Sequence, residues 1–175
     1  MVRSKAIEVL ARRLHLNSGR AAALAQRAAE CGALPKASGR NVPDMGPLHL
    51  ARLLLCVVAD RGLGSVPQSV QEYSCLSATN GAVLIDIAEG WIRGTVPTSG
   101  IGHLVIQIEP EPAATIISNS GEHLNYGPER SRDAAARTVI VPGDSLAAIA
   151  LEFRGYSPEQ ADDALAVAKL SRALA

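Results

Sequence analysis

Residues 17–41 contain two groups of polar and basic side chains that could bind a negatively charged partner. The groups are Asn17, Ser18, Arg20, Gln26 and Arg27, then Lys36, Ser38, Gly39, Arg40 and Asn41. Arginine forms bidentate hydrogen bonds with guanine and glutamine with adenine, while some cations of such a set hold phosphates instead. The first group therefore suggests contacts with double-stranded DNA, provided that it lies on a helix that enters a groove. The second group lies in a basic loop that either turns the chain or holds its cations against something negative.

Two short helices must position the first group. Apolar residues recur at helical spacing from Ile7 to Leu16, which predicts a first helix over residues 4–15. Asn17 and Ser18 then offer an N-cap for an alanine-rich second helix over residues 19–31, with Gly32 just past its end. The pair has the outline of a helix-turn-helix, whose second helix enters the major groove.

Charge divides the chain unevenly, although the whole has 17 basic and 17 acidic residues. Residues 1–61 hold ten Lys and Arg and four acidic residues, a net charge of +6, so the remainder carries −6. A basic first third suggests a surface that faces a polyanion. Chance drift of charge along the chain would give the same division.

The rest of the pattern predicts a small α+β body. The segment 47–60 is apolar on almost every side and predicts a core helix, followed by a fourth short helix near Pro67 and a connecting helix over residues 80–93. The stretches "HLVIQIEPE", "AATIIS", "HLNYG" and "RTVIV" predict strands, and residues 144–153 and 157–174 predict two more helices. We expect a mainly α-helical head over residues 1–77 and an antiparallel sheet with helices over residues 78–175.

The head resembles the winged helix-turn-helix of the MerR superfamily, which includes phage excisionases and the small terminase subunit of lambda-like phages. The similarity lies in "LARRL" at Leu10, "GALP" at Gly32, "LARLLL" at Leu50 and "RGLGSVPQSV" at Arg61, in that order. It implies that residues 36–41 form the wing, with Lys36 and Arg40 on phosphate, or Arg40 in the minor groove. No long dimerising helix with metal-binding cysteines follows, which argues against a metal-sensing regulator.

An alternative function, ester hydrolysis, is suggested by Gly143-Asp144-Ser145-Leu146, which matches the four residues of the GDSL hydrolase signature. A serine at a strand-to-helix turn could act as a nucleophile. However, the similarity ends with those letters, because no histidine follows Ser145, and His103 and His123 lie upstream of it. The alternative is that Asp144 or Ser145 caps the helix.

Other residues give little sign of a cofactor or a metal. The four histidines lack close metal-ligand spacing, and no Walker-type loop is present. Cys31, Cys56 and Cys75 are odd in number, widely spaced and set among apolar neighbours, so we expect buried free thiols rather than disulfides or a CxxC site. No run of about 18 apolar residues occurs. The sequence thus predicts a cytoplasmic, non-enzymatic protein without a cofactor and without contact with a membrane.

The function expected from these patterns is sequence-specific binding of duplex DNA by a homo-oligomer, because paired heads bind more tightly than single ones. Two roles fit equally: a transcriptional regulator, or a phage DNA-packaging recognition subunit of the small-terminase kind, each with a phage or transcription protein as a possible partner. The main alternative is a protein-interaction module that binds an acidic protein.

Overall fold

The computed structural model describes residues 1–36, 43–128 and 135–174. Its helices are α1 (Arg3–Arg13), α2 (Ser18–Glu30), α3 (Pro47–Val58), α4 (Val66–Cys75), α5 (Leu84–Arg93), α6 (Gly143–Phe153) and α7 (Pro158–Ala173), and a short 3-10 turn, Leu63–Ser65, leads into α4. Its strands are β1 (Ile101–Glu109), β2 (Ala113–Ser118), β3 (His123–Tyr126) and β4 (Arg137–Pro142). Helices with a small antiparallel sheet confirm the predicted α+β layout.

The second helix starts and stops for the predicted reasons, and the first is close to its predicted bounds. The second begins at Ser18 because Asn17 caps it, accepting a hydrogen bond from the Arg20 backbone N–H at 3.1 Å. The first ends at Arg13, two residues earlier than expected, and His15 in the turn has a φ of 52°. Gly32 follows α2 with a φ of 82°, a conformation that favours glycine at a helix end.

Apolar packing places α3 at the centre of the head. Its run from Leu53 to Val58 is buried throughout, as expected for a helix that is apolar all round. The connecting helix is shorter than predicted: α5 begins at Leu84, because residues 77–83 form a tight turn closed by a bridge between Ser77 and Val83.

The sheet has the strand order β3-β2-β1-β4, with every pair antiparallel. Leu104 and Ile106 of β1 are fully buried and share a core with Leu146 and Ile149 of α6. On the other face of the strand His103 is exposed, whereas Val105 and Gln107 are buried by other parts of the chain. Helices therefore cover one face of the sheet.

Head and body share one hydrophobic core within the described residues. Leu10 and Leu53 of the head belong to the same buried cluster as Leu104 of β1 and Ile149 of α6. The Tyr73 hydroxyl of α4 also donates a hydrogen bond to the Gln107 carbonyl at 2.6 Å. The predicted domain boundary between residues 77 and 78 stays a prediction, and the described parts on its two sides share this core.

The expectation of three buried thiols is wrong. Cys56 is buried in α3, whereas Cys31 and Cys75 are exposed. Cys31 directly follows the last residue of α2, and Cys75 is the last residue of α4. A helix end places a side chain beyond the packed interface, so apolar neighbours in sequence did not imply burial at those two positions.

Candidate nucleic-acid interface

The second helix presents one packed face and one open face. It buries five small or aliphatic side chains against the head: Ala21, Leu24, Ala25, Ala28 and Ala29. The open face exposes Ser18, Ala22, Gln26, Arg27 and Glu30. Because the side chains of Ser18 and Ala22 are small, a second molecule can approach the N-terminal part of the helix backbone closely.

At the N-terminal end of α2, two of the predicted DNA contacts have structural partners. The Asn17 side chain caps the helix, as described above. Arg20 forms a bidentate ion pair with Asp60 just beyond α3, with Nε–Oδ2 and Nη2–Oδ1 distances of 2.7 Å. Hydrogen bonds from Arg20 hold the pKa of Asp60 below its ordinary value, and the same pair raises the pKa of Arg20. Asn17 is thus engaged in capping α2, and Arg20 in holding α2 to the residue that follows α3.

The C-terminal half of α2 carries a different arrangement, centred on Glu30. Gln26 donates a hydrogen bond to this carboxylate at 3.1 Å, and Arg27 Nη1 lies 2.6 Å from it. Arg3 of α1 reaches the Gln26 side-chain oxygen at 3.3 Å. The hydrogen bonds from Gln26 and Arg27 lower the pKa of Glu30, and the positive charge of Lys36 adds to that effect. We call these five residues the Glu30 cluster.

The cluster is open to solvent. The side chains of Arg27 and Glu30 are 50% and 45% exposed, and Lys36 is exposed where the chain leaves α2. Arg27, Lys36 and the Gln26 amide thus act on one exposed carboxylate, and Arg3 joins the cluster through Gln26. Of the predicted wing, only Lys36 is among the described residues; Ser38, Gly39, Arg40 and Asn41 lie outside them.

Local sequence patterns indicated Gln26, Arg27 and Lys36 but missed Arg3 and Glu30. The link between Gln26, Arg27 and Glu30 was available, because residues three and four apart lie together on a helix. Arg3 meets Gln26 through the packing of α1 on α2, across 23 residues of sequence, which no local pattern reveals.

The basic excess of the first third is partly neutralised inside the molecule. Arg13 Nε lies 2.6 Å from Glu152 of α6, a carboxylate that is only 3% exposed and also accepts a hydrogen bond from Arg12. Arg13 Nη1 also lies 2.6 Å from Asp162 of α7. Burial alone would lower the pKa of Arg13, but the hydrogen bonds to Asp162 and Glu152 outweigh it and raise the pKa. These arginines hold α1 to α6 and α7.

No family model matches this chain, and neither the curated proteins nor the solved structures compared with it gave a match.

The GDSL segment forms the corner between β4 and α6, and its glycine has a packing reason. A Cβ on Gly143 would lie 1.8 Å from the backbone oxygen of Ile101, so any larger residue would overlap β1. The alternative that Asp144 or Ser145 caps the helix is wrong: Pro142 is the N-cap residue, without a side-chain hydrogen bond, and Asp144 pairs with Lys169 of α7 at 2.6 Å. Close chain packing thus accounts for the glycine without catalysis.

A groove of about 510 Å³ beside that corner brings Ser145 and His15 onto one surface. His103 and His123, the two histidines considered for this role from the sequence, lie on β1 and β3 instead, and His15 was missed because the turn after α1 is far away in sequence. Ser145 and His15 share no hydrogen bond within the described part of the chain. The arrangement therefore lacks the nucleophile–base contact that an activated serine requires.

The described ranges hold neither a metal-binding cluster nor a helix suited to a membrane. Over residues 1–36, 43–128 and 135–174, no three His, Cys, Asp or Glu side chains are grouped as a metal site requires. Among the helices in those ranges, none combines the length and the apolar character needed to cross a membrane.

Proposed function

We propose that this protein binds double-stranded DNA through the open face of α2, as a winged helix-turn-helix whose wing comprises residues 36–41. The observation that carries the proposal is the Glu30 cluster: Gln26 and Arg27 bind an exposed carboxylate on the helix predicted to enter the groove, Lys36 adds positive charge near it, and Arg3 binds Gln26. A phosphate oxygen offers the same charge and hydrogen-bond acceptors as that carboxylate. DNA phosphate would therefore compete with Glu30 for donors that are already oriented.

The structure changes which residues we assign to the interface. Gln26 and Arg27 project from the open face, so we assign base contacts to them. Arg3 and Lys36 flank them and are assigned to phosphates. Asn17 and Arg20 belong to the scaffold, because the first caps α2 and the second pairs with Asp60. Ser18, at the exposed start of α2, stays a candidate for a phosphate contact.

Two biological roles remain with the same interface, a transcriptional regulator and a phage DNA-packaging recognition subunit. Each requires two or more heads on one DNA, because a single winged head makes few contacts. Each also requires a partner protein of transcription or of packaging. The operator or packaging sequence is the observation that separates them.

A second candidate function rests on the same geometry. Because Glu30 already occupies the cluster, carboxylates of an acidic protein could replace it as well as phosphates could. That alternative predicts binding of an acidic polypeptide and no preference for duplex DNA.

The test compares two arginines that lie on different helices but have similar exposure and a similar ion pair within their own helix. Arg27 pairs with Glu30 and is 50% exposed, while Arg93 of α5 pairs with Glu89 and is 55% exposed. Fluorescence anisotropy with labelled duplex DNA at about 50 mM salt should show weaker binding for Arg27→Ala and Lys36→Ala, with a salt slope shallower by about 0.9 for each phosphate that the variant no longer binds. Arg93→Ala should bind like the wild type.

Three outcomes would contradict the proposal. The first is that the wild type fails to bind duplex DNA at low salt, and the second is that Arg93→Ala weakens binding as much as Arg27→Ala does. The third is that polyglutamate competes as well as DNA does at equal charge. The third result would instead support the acidic-protein alternative.

A further inference from the structure

Two arginines at the last two helices donate hydrogen bonds to backbone carbonyls only. Arg154, which directly follows α6, donates from Nε to the Ala150 carbonyl at 3.3 Å. Arg172 of α7 donates to the carbonyls of Ala168 and Ser99, at 3.3 and 3.1 Å. Neither arginine forms an ion pair with a described residue. Their positive charges therefore lack the carboxylate partner that most other arginines of the structure have.

The guanidinium group of Arg154 is held by its surroundings. A Cβ on Gly94 would lie 2.4 Å from Nη1, so the group extends across that glycine. Its central carbon also lies 5.8 Å from the centre of the Tyr156 ring. The bond from Nε leaves Nη1 and Nη2 without a hydrogen-bond partner in the part of the chain that the structure describes. These two nitrogens can bind a carboxylate through two parallel hydrogen bonds.

Both arginines line one cavity between α6, α7 and the turn before β1. Its volume is about 180 Å³. Part of the lining is apolar, since Ala147 and Leu151 of α6 and Leu165 of α7 contribute to it. Asp144 lines the cavity as well, but its charge is matched by Lys169 at 2.6 Å. The cavity therefore combines an apolar surface with positive charge that no ion pair balances.

We propose that this cavity binds a small monocarboxylate with an apolar body. The carboxylate accepts hydrogen bonds from Nη1 and Nη2 of Arg154, and Arg172 adds a second positive charge. The apolar body covers Leu151 and Leu165, from which an inorganic anion such as phosphate would gain nothing. Sites for drug-sized ligands have volumes of about 300–1,000 Å³, so the smaller cavity here restricts the ligand to a compact acid. The site shares no residue with the Glu30 cluster, and its binding is measured without DNA.

The test is an NMR titration of the full chain with benzoate as the probe and benzyl alcohol as its uncharged counterpart. Benzoate should shift the backbone amide signals of residues 98–101 and 147–154 saturably, and benzyl alcohol should bind about tenfold more weakly or less. Arg154→Gln should raise the Kd of benzoate by about tenfold or more, because two hydrogen bonds to a charged group are lost. The control Arg137→Gln removes another exposed arginine, one paired with Glu109 at the far end of β4, and should bind like the wild type.

A second variant tests the cavity without changing a charge. Ala168→Leu fills part of the space and keeps both arginines, so it should abolish saturable binding of benzoate. Circular dichroism checks folding, and Ala168→Leu decides the question if Arg154→Gln does not fold.

Several results would overturn the proposal. One is that millimolar benzoate gives no saturable shift in the wild type, and another is that Arg154→Gln and Ala168→Leu leave its Kd unchanged. Equal binding of benzyl alcohol or of inorganic phosphate would contradict the assignment of an apolar carboxylate. A Kd raised as much by Arg137→Gln as by Arg154→Gln would show a general charge effect instead of a site.

Discussion

Replacing Glu30 with glutamine should strengthen DNA binding. Glu30 is the last residue of α2, where the helix dipole disfavours a negative charge. Its carboxylate nevertheless holds Gln26 and Arg27, at 3.1 and 2.6 Å. In the proposed interface it acts as an internal competitor of phosphate, so its neutral isostere should release Arg27 for DNA.

The size of the effect follows from the charges of the cluster. The cluster holds three cations, Arg3, Arg27 and Lys36, and one carboxylate, so Glu30→Gln raises its net charge from +2 to +3. The pair is exposed, and exposed ion pairs are weak, so we expect affinity to rise about two- to fivefold at low salt. If Arg27 gains a phosphate, the slope of log affinity against log salt should steepen by about 0.9.

The assay is anisotropy with labelled duplex DNA over a series of salt concentrations, near neutral pH. Because the pKa of Glu30 is lowered, the wild-type carboxylate is fully charged there. Glu111→Gln is the matched control: it removes one exposed negative charge from the body, far along the chain from α2. Equal gains for both variants would indicate a general charge effect, and unchanged or weaker binding for Glu30→Gln would refute the assignment of the cluster.

Three further predictions concern the scaffold that holds this face. Gly143→Ala should lower the free energy of unfolding in urea by about 4 kcal/mol or more, because the added Cβ would overlap the backbone of Ile101. The control Gly64→Ala, at a position with open space around it, should lower it by about 1 kcal/mol or less. Similar values for the two variants would contradict the close packing at Gly143. Glu152→Gln should cost about 2–4 kcal/mol by leaving two arginines without their buried carboxylate, and a neutral result would show that the ion pairs do not hold α1 to α6. In the native protein a thiol reagent should modify two cysteines quickly and spare Cys56, whose pKa burial raises to about 12; rapid reaction of all three would contradict its burial.

Local patterns predicted the elements well, because their causes are local. The cap at Asn17, the apolar run of α3 and the Pro and Gly residues that separate the strands each act on residues within a few positions of one another. The small errors lie where a local signal competes with packing: residues 80–83, predicted as helix, form a turn that pairs Ser77 with Val83.

Only part of the candidate site could be predicted, because several of its basic side chains form ion pairs with residues distant in sequence. Arg20 looked like a DNA contact, but Asp60, 40 residues away in sequence, holds it. Arg13 looked like part of a basic surface, but its partners Glu152 and Asp162 come from the far end of the chain. A net charge summed over a segment therefore overestimates the charge that is free to bind a polyanion.

The most direct measurement of the central claim is the salt dependence of wild-type binding to duplex DNA. We expect binding at about 50 mM salt that weakens steeply toward about 200 mM, with a slope corresponding to several phosphate contacts, and a clear preference for duplex DNA over polyglutamate. Absence of binding at low salt, or binding that salt leaves unchanged, would contradict it.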